Sequence, residues 1–186
     1  MLATRTLPII WTFVYKFDTA SYLTKHKAYL YVRGNLQLLI QAETYAATLA
    51  AQMFHAFMAI TAVFDLEAQQ LDVVNAFTNS ILDEIVYIDF PNGFQQPGFC
   101  LLLLRALYGL CHSPLLWFRN LSTMLKQLGL HATGEDLCLY TNDWLTVLFY
   151  VDDIITLCHK IDLLKLQTFK SNLMSTYEMK DIGDLN

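Results

Sequence analysis

Cations are scarce in this chain. Its 186 residues carry 12 Lys and Arg against 17 Asp and Glu, a formal net charge of −5. Proteins that grip phosphate backbones ordinarily present a basic face, because that affinity is largely electrostatic. The shortage weighs against nucleic-acid binding. Glycine and proline are also few, at seven and four, and no low-complexity tract or internal repeat is visible. A disordered chain is therefore not expected. The four cysteines, Cys100, Cys111, Cys138 and Cys158, form no C-x-x-C pair, so no zinc site is expected. Three of them sit in apolar surroundings, as small core residues of a reduced, intracellular protein do. The N-terminal MLATRTLPIIW has no long apolar run, and no signal peptide is expected. Charge is missing altogether between Glu43 and Asp65. That stretch has the length of a bilayer span, about 20 residues. It is also interrupted by Thr44, Thr48, Gln52, His55 and Thr61 and is rich in alanine, which favours a buried globular helix over an anchor.

What the chain does have is apolar mass. Hydrophobic residues make up 55% of it, enough for the core of one domain. Residues 9–17 and 27–34 are rich in β-branched and aromatic types and predict two strands around a turn at Asp18 to Ser21. Leu49, Met53, Phe57 and Ile60 recur at helical spacing and predict a helix over 44–63. Strands are expected at 67–74, 84–88 and 99–104, with Pro91-Asn92-Gly93 as a break. Ser113 as N-cap and Pro114 at the first helical position predict a helix to about Leu128, stopped by Gly129. Residues 138–140 read as extended, 145–150 and 154–158 as a hairpin, and 162–177 as an amphipathic helix. Irregular alternation with adjacent hairpins predicts an α+β fold, a mainly antiparallel sheet backed by helices on one face.

The hairpin stretch TVLFYVDDIITLC poses a physical question, since Asp152 and Asp153 interrupt a run that is otherwise fit for burial. An unpaired carboxylate taken out of water costs several kcal/mol or forces protonation. Asp is common in turns because it bonds the local backbone, and that accounts for one such residue without any further role. Two adjacent carboxylates at a tip also make a start on an oxygen-ligand site for a divalent cation. Asp72, in QLDVVNAF, ends the strand expected at 67–74. Were that strand beside the hairpin, three carboxylates would converge, as a two-metal centre requires.

With FYVDD preceded by QLDVVNAF, the chain resembles the reverse transcriptase domain of copia-type LTR retrotransposons. Further blocks carry the resemblance in order. Lys27-Ala28-Tyr29-Leu30-Tyr31-Val32-Arg33-Gly34 is similar to KARLVARG, and Glu43-Thr44-Tyr45-Ala46 to ETFAP. Glu84-Ile85-Val86-Tyr87 with Pro91-Asn92-Gly93-Phe94 is similar to EEIYMEQPEGF. Leu107-Tyr108-Gly109-Leu110, Ser113-Pro114 and Trp117 resemble SLYGLKQSPRQW. Asp136 to Tyr140 resembles DPCLY, and Tyr177 to Gly183 resembles FEMKDLG.

The resemblance implies the fingers and palm of a polymerase over residues 1–186, without a thumb, and ending before the family's next strand. It implies Mg²⁺, with Mn²⁺ as the alternative, and as partners a template-primer of RNA or DNA and dNTPs. Asp72 and Asp152 would hold the metals, with Asp153 assisting and the carbonyl of Val73 completing a shell. Phe77 would lie under the sugar of the incoming nucleotide and exclude a 2′-OH. Gly109 and Ser113 would lie near the nascent base pair, Lys27 near the triphosphate, and Lys180 would protonate the leaving pyrophosphate. Departures fall on the cations: Tyr29 stands where the family has Arg, Cys111-His112 where it has Lys-Gln, Leu115 where it has Arg, and Ala50 and His55 where it has arginines. Ala47 replaces a Pro. A phenol cannot replace a bidentate guanidinium. These losses predict weak or absent polymerase activity. The competing reading is a decayed, non-catalytic fragment, or a small membrane-associated or interaction protein anchored by residues 44–64.

Overall fold

The structure, a computed structural model, describes residues 5–37 and 43–185. The first four residues of the N-terminal stretch, residues 38–42 and Asn186 lie outside it. Strands β1 (Ile9–Phe17) and β2 (Leu23–Val32) form a long antiparallel hairpin. At its tip the Asp18 carboxylate accepts the N–H groups of Ala20 and Tyr22 at 2.9 Å, the local bonding that suits Asp to turns. Helix α1 (Ala51–Val63) precedes β3 (Glu67–Val73), and a 3-10 turn at Ala76–Asn79 leads to β4 (Ile81–Ile88) and its partner β5 (Leu101–Arg105). After α2 (Ser113–Gln127) come β6 (His131–Ala132), β7 (Leu139–Thr141), β8 (Leu145–Tyr150) and β9 (Asp153–Cys158). Helix α3 (Leu163–Thr176) and β10 (Met179–Asp184) follow.

Six of the strands form one antiparallel sheet in the order β10-β3-β9-β8-β7-β6. Because strand side chains alternate, this sheet has two apolar faces. On one, Leu71, Val73, Val147, Phe149 and Ile154 pack against Trp117, Leu121 and Leu125 of α2 and Leu166, Phe169 and Leu173 of α3. On the other, Ala68, Leu148 and Leu157 are covered by Met53, Phe57 and Met58 of α1. A separate cluster of Leu7, Ile9, Val32, Val86, Ile88 and Leu110 ties the base of the β1–β2 hairpin to β4.

The mixed, mainly antiparallel architecture agrees with the α+β expectation, with two corrections. Helices cover both faces of the sheet, since the 51–63 segment takes the face opposite α2 and α3. The helix expected over 44–63 starts only at Ala51, and residues 44–50 run as irregular chain. Of its expected core positions, Met53 and Phe57 pack on the sheet while Ile60 is exposed, and no residue of α1 is fully buried. Among the described residues no helix is long and apolar enough to cross a membrane, so residues 44–64 do not form the helical anchor of the competing reading. Ser113 is also the first residue of α2 rather than its cap, which is His112.

β10 is an addition. Residues 179–184, MKDIGD, have weak strand character of their own. They pair because the edge of β3 offers unmatched backbone groups, and the buried Lys170 ammonium of α3 draws them in. It bonds Gln69 of β3 at 2.9 Å and forms an ion pair with Asp181.

Candidate active site

The two-residue turn between β8 and β9 is Val151-Asp152, closed by the pairing of Tyr150 with Asp153. Val151 has a φ of +55°, a left-handed conformation that is costly for a β-branched residue. Two-residue hairpins require positive φ and usually place glycine or asparagine there. Here neighbouring elements hold the turn. The indole N–H of Trp117 donates to the Val151 carbonyl at 2.6 Å. The N–H of Val73 donates to the Asp152 carbonyl at 2.9 Å.

The ladder does the rest of the gathering. Asp72 is the cross-strand partner of Asp153, and Lys180 is the partner of Asp72. Directly opposed residues share a sheet face, so Asp153, Asp72 and Lys180 stand in a row across β9, β3 and β10. Lys180 Nζ lies 3.3 Å from Asp72 Oδ2. Gln70, two residues before Asp72 on the same face, donates its side-chain amide to Asp153 Oδ1 at 2.8 Å.

Electrostatics tie Asp152 to this row. Its carboxyl is pushed above the usual range, first by burial and further by the charges of Asp153 and Asp72. Its own backbone amide and Lys27 act the other way. Tyr108 is pushed up to about 12 by burial, then by Asp152, Tyr31, Tyr29 and Asp72. The phenol therefore stays protonated, as a neutral donor beside the carboxylates. An aromatic wall runs from it in both directions: Phe77 lies 4.5 Å away, Tyr31 6.0 Å away, and Tyr29 a further 6.1 Å beyond Tyr31. Lys27 Nζ sits 5.8 Å from the Tyr29 ring.

The remaining expected site residues are placed as follows. Phe77 lies on the 3-10 turn after β3, partly buried against the main core. Val73 is buried in that core. Gly109 has a φ of +93°, and a Cβ there would stand 2.0 Å from the Val32 carbonyl. Only glycine lets this loop cross β2 so closely, and the crossing brings Tyr108 to the carboxylates. Ser113 is fully buried, its hydroxyl donated to the Leu107 carbonyl at 2.8 Å. It is thus turned into the fold rather than outward.

Among the described residues no group of three or more His, Cys, Asp or Glu side chains is assembled to hold a metal ion. The chemistry of the carboxylates nonetheless fits a hard divalent cation. Mg²⁺ is commonly held through one or two carboxylates plus substrate phosphates and water rather than by a full protein cage. Asp72 and Asp152 could supply two, and Asp152 is pushed up first by burial and then by the charges of Asp153 and Asp72, which Lys27 only partly offsets. Tyr108 and Trp117 emerge here as site residues that spacing could not single out. Trp117 bonds the turn directly and Tyr108 feels the charge of Asp152, and their only signal in the sequence was membership of the LYGL and SP-x-x-W blocks.

The chain matches the family model described as reverse transcriptase (RNA-dependent DNA polymerase) over residues 2–186. It is 30% identical over 189 residues to the retrovirus-related Pol polyprotein from transposon TNT 1-94 of Nicotiana tabacum, an alignment covering 96% of this chain and 14% of that protein. It is also 30% identical over 185 residues to the retrovirus-related Pol polyprotein from transposon RE2 of Arabidopsis thaliana, covering 95% of this chain and 13% of the relative. A putative transposon Ty5-1 protein of Saccharomyces cerevisiae is 32% identical over 123 residues, covering 62% and 39% respectively. The chain thus spans about one seventh of the length of the two plant polyproteins.

Proposed function

The chain belongs to the reverse transcriptase family found in copia-type retrotransposon Pol polyproteins, and from that premise we propose that it is a fingers-and-palm polymerase domain. Its reaction is transfer of a nucleotide from a dNTP to a primer 3′-OH, directed by an RNA or DNA template. The β1–β2 hairpin would serve as fingers and the six-stranded sheet as palm. The single observation that carries this reading is the ladder register, which sets Asp72 against Asp153 and bonds Val73 to the turn at Asp152.

In this reading the 3′-oxygen bonds to the α-phosphorus and gives up its proton to solvent, while the bond to pyrophosphate breaks. Bound Mg²⁺ or Mn²⁺ would offset the charge developing on the attacking and leaving oxygens. Asp72 and Asp152 would hold it, with Asp153 assisting and the Val73 carbonyl at hand. Lys180, beside Asp72, would protonate the departing pyrophosphate. Lys27 sets one positive charge on the approach to Asp152. Phe77, packed at a tilt against Tyr108, would be the flat floor under the nucleotide sugar. Tyr29, standing where the family has an arginine, leaves the triphosphate without a bidentate clamp, so the expected rate is low.

Primer extension on poly(rA)/oligo(dT) with Mg²⁺ or Mn²⁺ tests the proposal. Slow extension that disappears in Asp152→Asn supports it. Equal signals from the two proteins would overturn the enzymatic reading and leave the family membership untouched.

A further inference from the structure

We infer that Trp117 is a positioning residue of this site, and that its indole N–H is what keeps the strained Val151 turn in the conformation that presents Asp152 to Asp72. The inference rests on the reading of Asp72 and Asp152 as a cation-holding pair.

Three observations carry it. The first is the strain: Val151 has a φ of +55° in a two-residue turn, and a β-branched residue leaves that region unless its surroundings over-determine it. The second is the shape of the restraint. Successive carbonyls of the turn are tied from different elements, Val151's by Trp117 of α2 and Asp152's by the Val73 N–H of β3. The β3 bond reaches the neighbouring Asp152, so it reports on the shape of the turn without itself holding Val151. The indole bond acts on the strained residue itself. The third is the rigidity of the donor. Trp117 is almost wholly buried, and its ring packs edge-on against Tyr177 at 5.3 Å. The Tyr177 hydroxyl donates to Asn120 Oδ1 at 3.0 Å, and the Asn120 amide donates to the Asn79 carbonyl and the Ser80 hydroxyl at 3.0 and 3.3 Å. A chain of hydrogen bonds, joined by the edge-on contact of Trp117 with Tyr177, therefore runs from the Asp152 turn through α2 to the 3-10 turn that carries Phe77. The carboxylate turn and the aromatic floor are held in register by the same buried residues.

A tryptophan that merely filled the core would be replaceable by phenylalanine. A pin would not be, and its need would vanish if residue 151 were glycine, which accepts positive φ freely. The test compares wild type, Trp117→Phe, Val151→Gly and the double variant. The readouts are Mn²⁺ binding by electron paramagnetic resonance and amide exchange at Val73. Trp117→Phe is expected to weaken Mn²⁺ binding by about tenfold or more, as loss of a residue supporting metal ligands does, and to speed exchange at Val73. The double variant is expected to recover both to near the Val151→Gly level. Unchanged exchange at Val73 in Trp117→Phe, or no recovery in the double variant, would overturn the inference. Should Trp117→Phe fail to fold, exchange of the Trp117 indole proton in the wild-type chain decides: strong protection supports the pin, and exchange at the free-indole rate refutes it. If the wild type binds no Mn²⁺, the cation reading fails, and the exchange readouts still decide on the pin.

Discussion

Lys180 stands directly across the β3–β10 ladder from Asp72, its ammonium 3.3 Å from the carboxylate. The lysine is more than half exposed, and ion pairs in that setting contribute at most about 1 kcal/mol. Its consequence is occupancy: a cation bound at Asp72 must displace the ammonium. Lys180→Met is therefore expected to change thermal stability by less than about 1 kcal/mol and to tighten Mn²⁺ binding, while slowing primer extension. Binding that weakens in Lys180→Met would contradict this.

Asp152 gives a pH signature. Its carboxyl holds its proton more tightly in the native state than its ordinary value of 3.8. The stabilisation from that proton is complete below pH 3.8 and is lost as pH rises through the raised native value. At neutral pH the ionised group therefore costs stability. Metal-free Asp152→Asn is expected to melt at a higher temperature than wild type at pH 7, with the gap closing as the pH falls toward 3.8. A variant melting lower than wild type at pH 7 would count against the burial of Asp152 and its crowding by Asp153 and Asp72.

The alkaline limb has a separate origin. Tyr108 and Tyr177 are pushed from 10.0 to about 12, and Cys138 from 9.0 to about 12, each chiefly by burial. The unfolded chain releases these protons first, so stability is full below pH 9 and falls as pH rises toward 12. Melting temperatures measured from pH 8 to 12 should decline across that window, and Tyr177→Phe should flatten the decline.

Gly109 gives a steric prediction. A side chain there meets both a positive φ and the Val32 carbonyl at 2.0 Å. Gly109→Ala is expected to cost at least about 2 kcal/mol in denaturant unfolding and to loosen the bond from the Val32 N–H to the Tyr108 carbonyl. Gly93, with a φ of +93° but open space around it, should cost less when replaced by Ala.

The hairpin at 145–158 and the strand ending in Asp72 were legible because their apolar runs are dense and bounded by turns. Their adjacency was a supposition that only the ladder could make concrete. The helix at 44–63 was overread because an uncharged stretch keeps its apolar pattern whether or not the backbone is helical, and residues 44–50 are not. β10 was invisible because charge and glycine hide its tendency to pair, which comes from β3 and Lys170. The strain at Val151 left no trace in composition, since a valine in a strand-rich run looks like any other strand residue. Ser113 misled as a cap because Ser-Pro suits the N-cap and first position of a helix as well as its first two positions.

The most direct test of the account is Mn²⁺ titration of the metal-free chain, followed by electron paramagnetic resonance, for wild type, Asp72→Asn and Asp152→Asn. Two carboxylates from separate strands acting as one site predict binding by the wild type and its loss in either variant. Binding that survives in Asp72→Asn, or none in the wild type, would contradict it.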